Sequence, residues 1–258
     1  MRKTSMIIGI ACLAGFITIS SQPNINKIAD THQNDSLTTS SSTPNKSPIE
    51  QLYEDIELHK VLKYDVFELA MQGFNSLEFS NRDVISIIDF SLPSTDKRMY
   101  VIDLKNKKLL YHTIVSHGRN TGENYAVNFS NKHGSFQSSL GFYRTENTYM
   151  GSNGYSLVIN GLEKGINDQA KARAVVIHGA DYCSESVIQS TGRLGRSYGC
   201  PALPRSLNKP IVNTIKNGTM LFIYADNKQY FAQTKLINKS KDMLAQSKAL
   251  DIDKISLN

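Results

Sequence analysis

Apolar and polar positions change their period three times along the chain. From Met6 to Ile19 the sequence is almost continuously apolar, and from Ser21 to Pro48 large apolar residues become sparse. Between Ile49 and Phe79 they return at helical spacing. Leu52, Ile56 and Val61 fall on one face, and Val66, Leu69, Ala70 and Phe74 on another. This predicts two short helices, broken near Lys63-Tyr64 and ended at Gly73. From Val84 the period becomes that of strands. Arg98–Asp103 and Leu109–Val115 flank the polar Lys105-Asn106-Lys107, a hairpin signal. Further strands are predicted over Gly141–Thr145, Tyr155–Asn160, Ala174–His178 and Met220–Tyr224, separated by Gly-, Ser- and Asn-rich loops. Helices are predicted over Ser184–Ser190, with Ser184 as N-cap, and over Ser206–Lys216, stopped by Asn217-Gly218.

The pattern divides the chain into a leader (1–20), a Ser/Thr/Asn/Pro-rich tether (21–48) and an N-terminal helical extension (49–82). A β-rich α+β domain (83–226) and a polar tail (227–258) follow. The tail carries a loose helix over Lys239–Leu250. The tether cannot bury enough apolar surface to offset its ordering entropy. The two N-terminal helices are expected to pack on the domain as an extra layer.

Composition narrows the function. The chain has 258 residues, 40% of them hydrophobic, enough for one well-packed domain with extensions. Its net charge is only +6 and no run of five Lys/Arg occurs, so no nucleic-acid partner is expected. Arg2 and Lys3 before the apolar run form the pattern of a secretory signal, with Thr18 and Ser20 at the −3 and −1 positions of a cleavage site. The run is shorter than the roughly 20 residues of a membrane span; left uncleaved, it would tether the protein to the membrane. The expectation is an exported protein of the periplasm or cell envelope, with Cys12 as signal filler. Export permits disulfides, so a Cys183–Cys200 bridge across sixteen residues is one alternative to a free thiol.

The candidate chemistry lies between Ala174 and Pro204. His178 ends a buried-looking strand and leads into Gly179. Cys200 follows Gly199 and precedes Pro201. Rigid elements present such side chains to solvent. A free thiol is mostly protonated at neutral pH, and an imidazole can take its proton. Arg193 or Arg196 could lower the thiol's pKa further. Gly199 allows a tight turn in which backbone N–H groups of Tyr198, Gly199 and Cys200 converge on an oxyanion. Nucleophile, base and oxyanion hole are the parts of acyl transfer. Ser197 reads as a hydrogen-bonding support for the cysteine loop. Asp181 or a backbone carbonyl would orient His178. His117 either lines the cleft or is bonded to backbone.

A strand-end His178-Gly179 followed by Ser197-Tyr198-Gly199-Cys200 resembles the signature of murein L,D-transpeptidase (YkuD-like) catalytic domains. So do Asp89-Phe90-Ser91, His117-Gly118-Arg119, Ser138-Ser139-Leu140-Gly141 and Gly161-Leu162-Glu163. The resemblance runs from about Val84 to Tyr224. It implies a β-sandwich-type catalytic fold with short helices and a peptidoglycan substrate. Cys200 would attack the bond before the terminal D-alanine of a murein tetrapeptide stem, forming a thioester that a second stem's amine resolves. It implies that no metal and no organic cofactor is needed; the sequence identifies no protein partner. The sequence departs from the commoner pattern: Tyr198 stands where that pattern has His, and Pro201-Ala202-Leu203 where it has Arg. The substrate-carboxylate contact then falls to Arg193, Arg196 or Arg205. An L,D-carboxypeptidase using the same pair, and a non-catalytic wall-binding module, remain alternatives.

Three other readings compete. Gly195-Arg196-Ser197-Tyr198-Gly199 matches the G-x-S-x-G nucleophile elbow, but no strand precedes it, Pro201 and Pro204 oppose a following helix, and no His follows His178. A zinc site from His117, His133, His178, Cys183 and Cys200 matches no common ligand spacing. Cys200 could also be a buried structural thiol.

Overall fold

Eight strands form one mixed sheet in a computed structural model that describes residues 46–238. The segment expected to be a secretory signal, Cys12, most of the expected tether and the helix expected over Lys239–Leu250 lie outside the described residues.

The strands are β1 (Val84–Asp89), β2 (Met99–Asp103), β3 (Lys108–Thr113), β4 (Gly141–Gly151), β5 (Gly154–Gly161), β6 (Val176–Ala180), β7 (Ala202–Pro204) and β8 (Met220–Tyr224). Their order across the sheet is β3-β2-β1-β8-β4-β5-β6-β7. The β1–β8 and β6–β7 pairs are parallel, and the rest are antiparallel. The architecture is β-rich α+β, as the period-2 runs predict, and the sheet is curled. The β2–β3 hairpin falls where Lys105–Lys107 interrupts the alternation. β4 extends well beyond the expected Thr145, bending at a register shift between Thr145 and Thr148. β7 is an addition to the predicted strands. It is three residues long, and its pairing comes from distant segments.

Two helices precede the sheet, α1 (Pro48–Asp55) and α2 (Tyr64–Ser76), joined by a 3₁₀ turn at Leu58–Lys60. Ser47 caps α1, its Oγ accepting the Glu50 N–H at 3.1 Å. α2 buries Val66, Phe67, Leu69, Ala70 and Phe74 in the sheet's own hydrophobic core, so the helical layer belongs to the domain. Gly73 does not end α2. The helix passes through it, and a Cβ there would lie 2.1 Å from the Phe142 ring, so glycine is needed for close approach rather than as a stop.

Three further helices are α3 (Glu185–Thr191), α4 (Arg205–Ile215) and α5 (Lys228–Gln233). α5 lies in the segment expected to be a polar tail. Its Tyr230 is buried and donates to the Glu163 carboxylate, so folded structure continues past Asp226. Among the described residues no helix is long and apolar enough to cross a membrane.

Candidate active site

β6 and β7 run parallel with His178 level with Ala202. The same register places Cys200, two residues before Ala202, level with Val176. β7 has not begun there, so the Cys200 thiol occupies the place of a ladder acceptor. The Val176 N–H approaches Sγ at 3.5 Å, and Sγ lies 3.9 Å from the Ala174 carbonyl. The register thus places Cys200, level with Val176, two positions along β6 from His178, although the two are 22 positions apart in sequence.

His178 is 4% exposed, and its Nδ1 lies 3.1 Å from the Gly179 carbonyl. That carbonyl requires the proton on Nδ1, which leaves the Nε2 lone pair free to accept. Burial pushes the imidazole's pKa below its ordinary value, the Gly179 bond opposes this, and the Arg205 charge adds to it. Cys200 moves the other way. Burial raises its thiol, opposed by the Val176 N–H and the Arg173 guanidinium. Both displacements favour the uncharged forms, a thiol at Cys200 and a neutral imidazole at His178.

The loop before Cys200 is braced from inside. Ser197 Oγ donates to the Cys200 carbonyl at 2.6 Å and accepts the Gly199 N–H at 3.0 Å. Ser138 Oγ donates to the Gly199 carbonyl at 3.1 Å. Gly199 has φ +122°, and a Cβ there would meet the Gln137 carbonyl at 2.9 Å. The Gly199 N–H is consumed by Ser197, which removes it from the expected oxyanion hole. Among the described residues the N–H groups of Tyr198 and Cys200 have no acceptor, so these two remain available for an oxyanion.

Several expected roles move. Arg193 Nε pairs with Glu123 at 2.9 Å and Arg196 Nη1 with the same carboxylate at 2.6 Å, so their charges are spent on bracing a loop. Asp181 is exposed and bonds Arg205, while the Gly179 carbonyl orients His178. His117 is 1% exposed, which excludes it from the cleft surface. Its Nδ1 accepts from Arg98 at 2.8 Å and its Nε2 donates to the Gly122 carbonyl at 3.2 Å, while burial and the Arg98 charge lower its pKa to about 4. Cys183 and Cys200 are both free, so the bridge between them is absent. Cys183 is fully buried with Ile114, Leu194 and Ala202, and burial raises its pKa to about 11, an inert packing thiol. Among the described residues no group of three or more His, Cys, Asp or Glu side chains could hold a metal.

Residues around the cysteine loop that the sequence left without a role are Arg173, Phe136 and Arg119. Arg173 lies beside the loop and exerts its charge on the thiol. Phe136 stacks obliquely on Tyr198, ring centroids 5.0 Å apart, with the Arg119 guanidinium about 6 Å from both rings. Tyr198 is 68% exposed, so this pair gives the site an aromatic rim. Ser130, Lys132, Gln137 and Tyr230 border a groove of about 670 Å³.

A family model described as an L,D-transpeptidase catalytic domain matches residues 58–224. No match was found among curated proteins. Similar solved structures include an L,D-transpeptidase from Mycobacterium smegmatis, 13% identical over 55% of this chain and 59% of that one, with a TM-score of 0.35. The L,D-transpeptidase (Yku) from Stackebrandtia nassauensis is 13% identical over 70% of this chain and 77% of its own, with a TM-score of 0.34. The helical cell shape determining protein Pgp2 from Campylobacter jejuni is 15% identical over 64% of this chain and 56% of its own, with a TM-score of 0.37. The match thus spans little more than half the length of the first and third of these chains.

Proposed function

The chain belongs to the L,D-transpeptidase catalytic-domain family, and from that membership we propose that it is a cysteine-dependent acyltransferase acting on peptidoglycan stem peptides. The observation that carries this reading is the pairing of β6 with the Cys200 loop: one register sets the thiol against the Val176 N–H and holds a neutral His178 two residues along the same strand.

The reaction runs in two halves. His178 Nε2 takes the thiol proton while Sγ attacks the carbonyl carbon before the terminal D-alanine. The carbonyl oxygen becomes an oxyanion facing the Tyr198 and Cys200 N–H groups. The tetrahedral intermediate collapses, its C–N bond breaks, and the departing D-alanine amine receives the proton from His178. A thioester on Cys200 remains. In the second half an amine of another stem peptide attacks that thioester and gives its proton to His178. The C–S bond breaks, and Sγ regains the proton. Water in place of the amine would make the enzyme a carboxypeptidase. Arg205 exerts its charge on His178 but is itself paired with Asp181, so a substrate carboxylate would have to share that cation. The charged and apolar segment at Arg2–Ile19 fits this reading through export to the cell envelope.

The test is intact mass after exposure to a carbapenem, with peptide mapping. One adduct on Cys200, lost in Cys200→Ser, is the expected result. An adduct of normal yield in Cys200→Ser would overturn the assignment. With tetrapeptide murein fragments, crosslinked dimers identify the transferase, and released D-alanine without dimers identifies the hydrolase.

A further inference from the structure

Arg173 is a cation whose polar partners carry no charge. Its Nη1 donates to the Ser130 carbonyl and Ser139 Oγ, both at 2.7 Å. Its Nη2 donates to the Gln137 carbonyl at 2.7 Å and Ser135 Oγ at 3.2 Å. Among the described residues no carboxylate pairs with it. Four neutral acceptors fix the guanidinium's place and leave its charge uncompensated. The same Nη2 would lie 3.5 Å from a Cβ at Gly199, so the charge sits against the cysteine loop.

The backbone next to it is also unusual. Ala174 has φ +56°, in the left-handed region that residues with a Cβ rarely adopt. Such a conformation persists only where surrounding contacts hold it. At Ala174 it turns the chain so that its carbonyl and the Val176 N–H both face Sγ. In succession, residues 173–176 present a charge, an acceptor for the thiol proton and a donor to sulfur.

We propose that Arg173 is the electrostatic partner of the Cys200 thiolate, a positioning residue on the turn 173–176 that stabilises the sulfur anion formed when His178 takes its proton. The inference rests on the reading of Cys200 as the nucleophile. The S–H bond breaks, the proton passes to His178 Nε2, and the negative charge left on Sγ is met by the Arg173 guanidinium and the Val176 N–H. Two phenols interact electrostatically with this pair, Tyr182 with Cys200 and the buried Tyr143 with Arg173. Both are neutral at neutral pH, which leaves the guanidinium's charge uncancelled.

The experiment follows alkylation of Cys200 by iodoacetamide against pH, read by peptide mass spectrometry so that Cys183 is counted separately. In Arg173→Gln the midpoint is expected about one pH unit higher than in the parent, which at pH 8 reads as alkylation about tenfold slower. Arg173→Lys, which keeps the charge, is expected to recover most of that rate. An unchanged rate in an Arg173→Gln variant that melts like the parent would overturn the proposal. If Arg173→Gln does not fold, Ser135→Ala combined with Ser139→Ala loosens the guanidinium while keeping the charge in the chain. Slower alkylation there supports the proposal, and the parent rate overturns it. Because alkylation uses no peptidoglycan, these outcomes stand apart from whether Cys200 takes up a stem peptide.

Discussion

Ser197 and Cys200 are joined by a hydrogen bond of 2.6 Å from the Ser197 hydroxyl to the Cys200 carbonyl, and the same oxygen accepts the Gly199 N–H. One hydroxyl therefore closes the turn that ends at the thiol and holds Gly199 at a φ that few other residues adopt. Ser197→Ala leaves the Gly199 N–H and the Cys200 carbonyl without this partner, and the turn is free to relax. A lost bond of about 1 to 1.5 kcal/mol acting on the reactive geometry corresponds to roughly tenfold slower acylation of Cys200 by a carbapenem. Adduct formation followed by mass spectrometry against time checks this. Parent-like acylation would show that the turn is held by other contacts.

The opposite displacements of Cys200 and His178 fix a pH profile. His178 titrates below its ordinary 6.5 because it is buried, and Cys200 above its ordinary 9.0 for the same reason. Between those limits the thiol keeps its proton and the imidazole can accept it. Acylation of Cys200 should then change little from about pH 6.5 to pH 8.5. It should fall only as pH drops through the lowered imidazole value, where His178 is already protonated. Alkylation by a small reagent should keep rising above pH 9, as pH approaches the raised thiol value. Full alkylation reactivity already present at pH 6 would instead reveal a preformed thiolate–imidazolium pair.

Gly73 tests the contact between the N-terminal helices and the sheet. A methyl group there would overlap the Phe142 ring, which is itself stacked on Phe222 at a centroid distance of 4.2 Å. Neither ring has room to retreat in a close-packed core. Gly73→Ala should cost about 1 to 3 kcal/mol despite the helix propensity it gains. A chemical denaturation midpoint equal to or above the parent's would mean that α2 is free to shift outward.

The features legible in the sequence were those with local punctuation. The β2–β3 hairpin follows from alternation interrupted by Lys105-Asn106-Lys107. The His178-Gly179 and Gly199-Cys200 steps stand out because glycine beside a reactive side chain marks a tight presentation. β7 was illegible because Ala202–Pro204 has no period of its own and is a strand only by pairing with Ser116 and His178. Gly73 was misread because a glycine that ends a helix and one that admits a ring look alike in one dimension. Arg193 and Arg196 drew attention through nearness in sequence to Cys200, yet Glu123 holds both. Arg173 drew none, because its place is set by Ser130, Ser135, Gln137 and Ser139, which lie 34 to 43 residues away. α5 was hidden by the polar residues around Tyr230.

The join between α5 and the sheet rests on Glu163. Its carboxylate is buried and accepts the Phe142 N–H at 2.9 Å, the Tyr230 hydroxyl at 3.1 Å and the Thr234 hydroxyl. Glu163→Ala orphans all three donors, at a cost of about 3 kcal/mol and a melting temperature on the order of 10 °C lower. Burial raises the Glu163 pKa above its ordinary 4.5, and the three hydrogen bonds only partly offset this. The folded chain therefore binds this proton more tightly than the unfolded chain does. The associated stability is fully present below pH 4.5 and is lost as pH rises through the raised value. Glu163→Gln has no such proton to lose, so its melting temperature should gain on the parent's between pH 4.5 and pH 7.5. Thermal melts of parent and Gln variant across that range decide the matter. A difference that stays constant with pH would mean that the carboxylate reaches water and keeps an ordinary affinity for its proton.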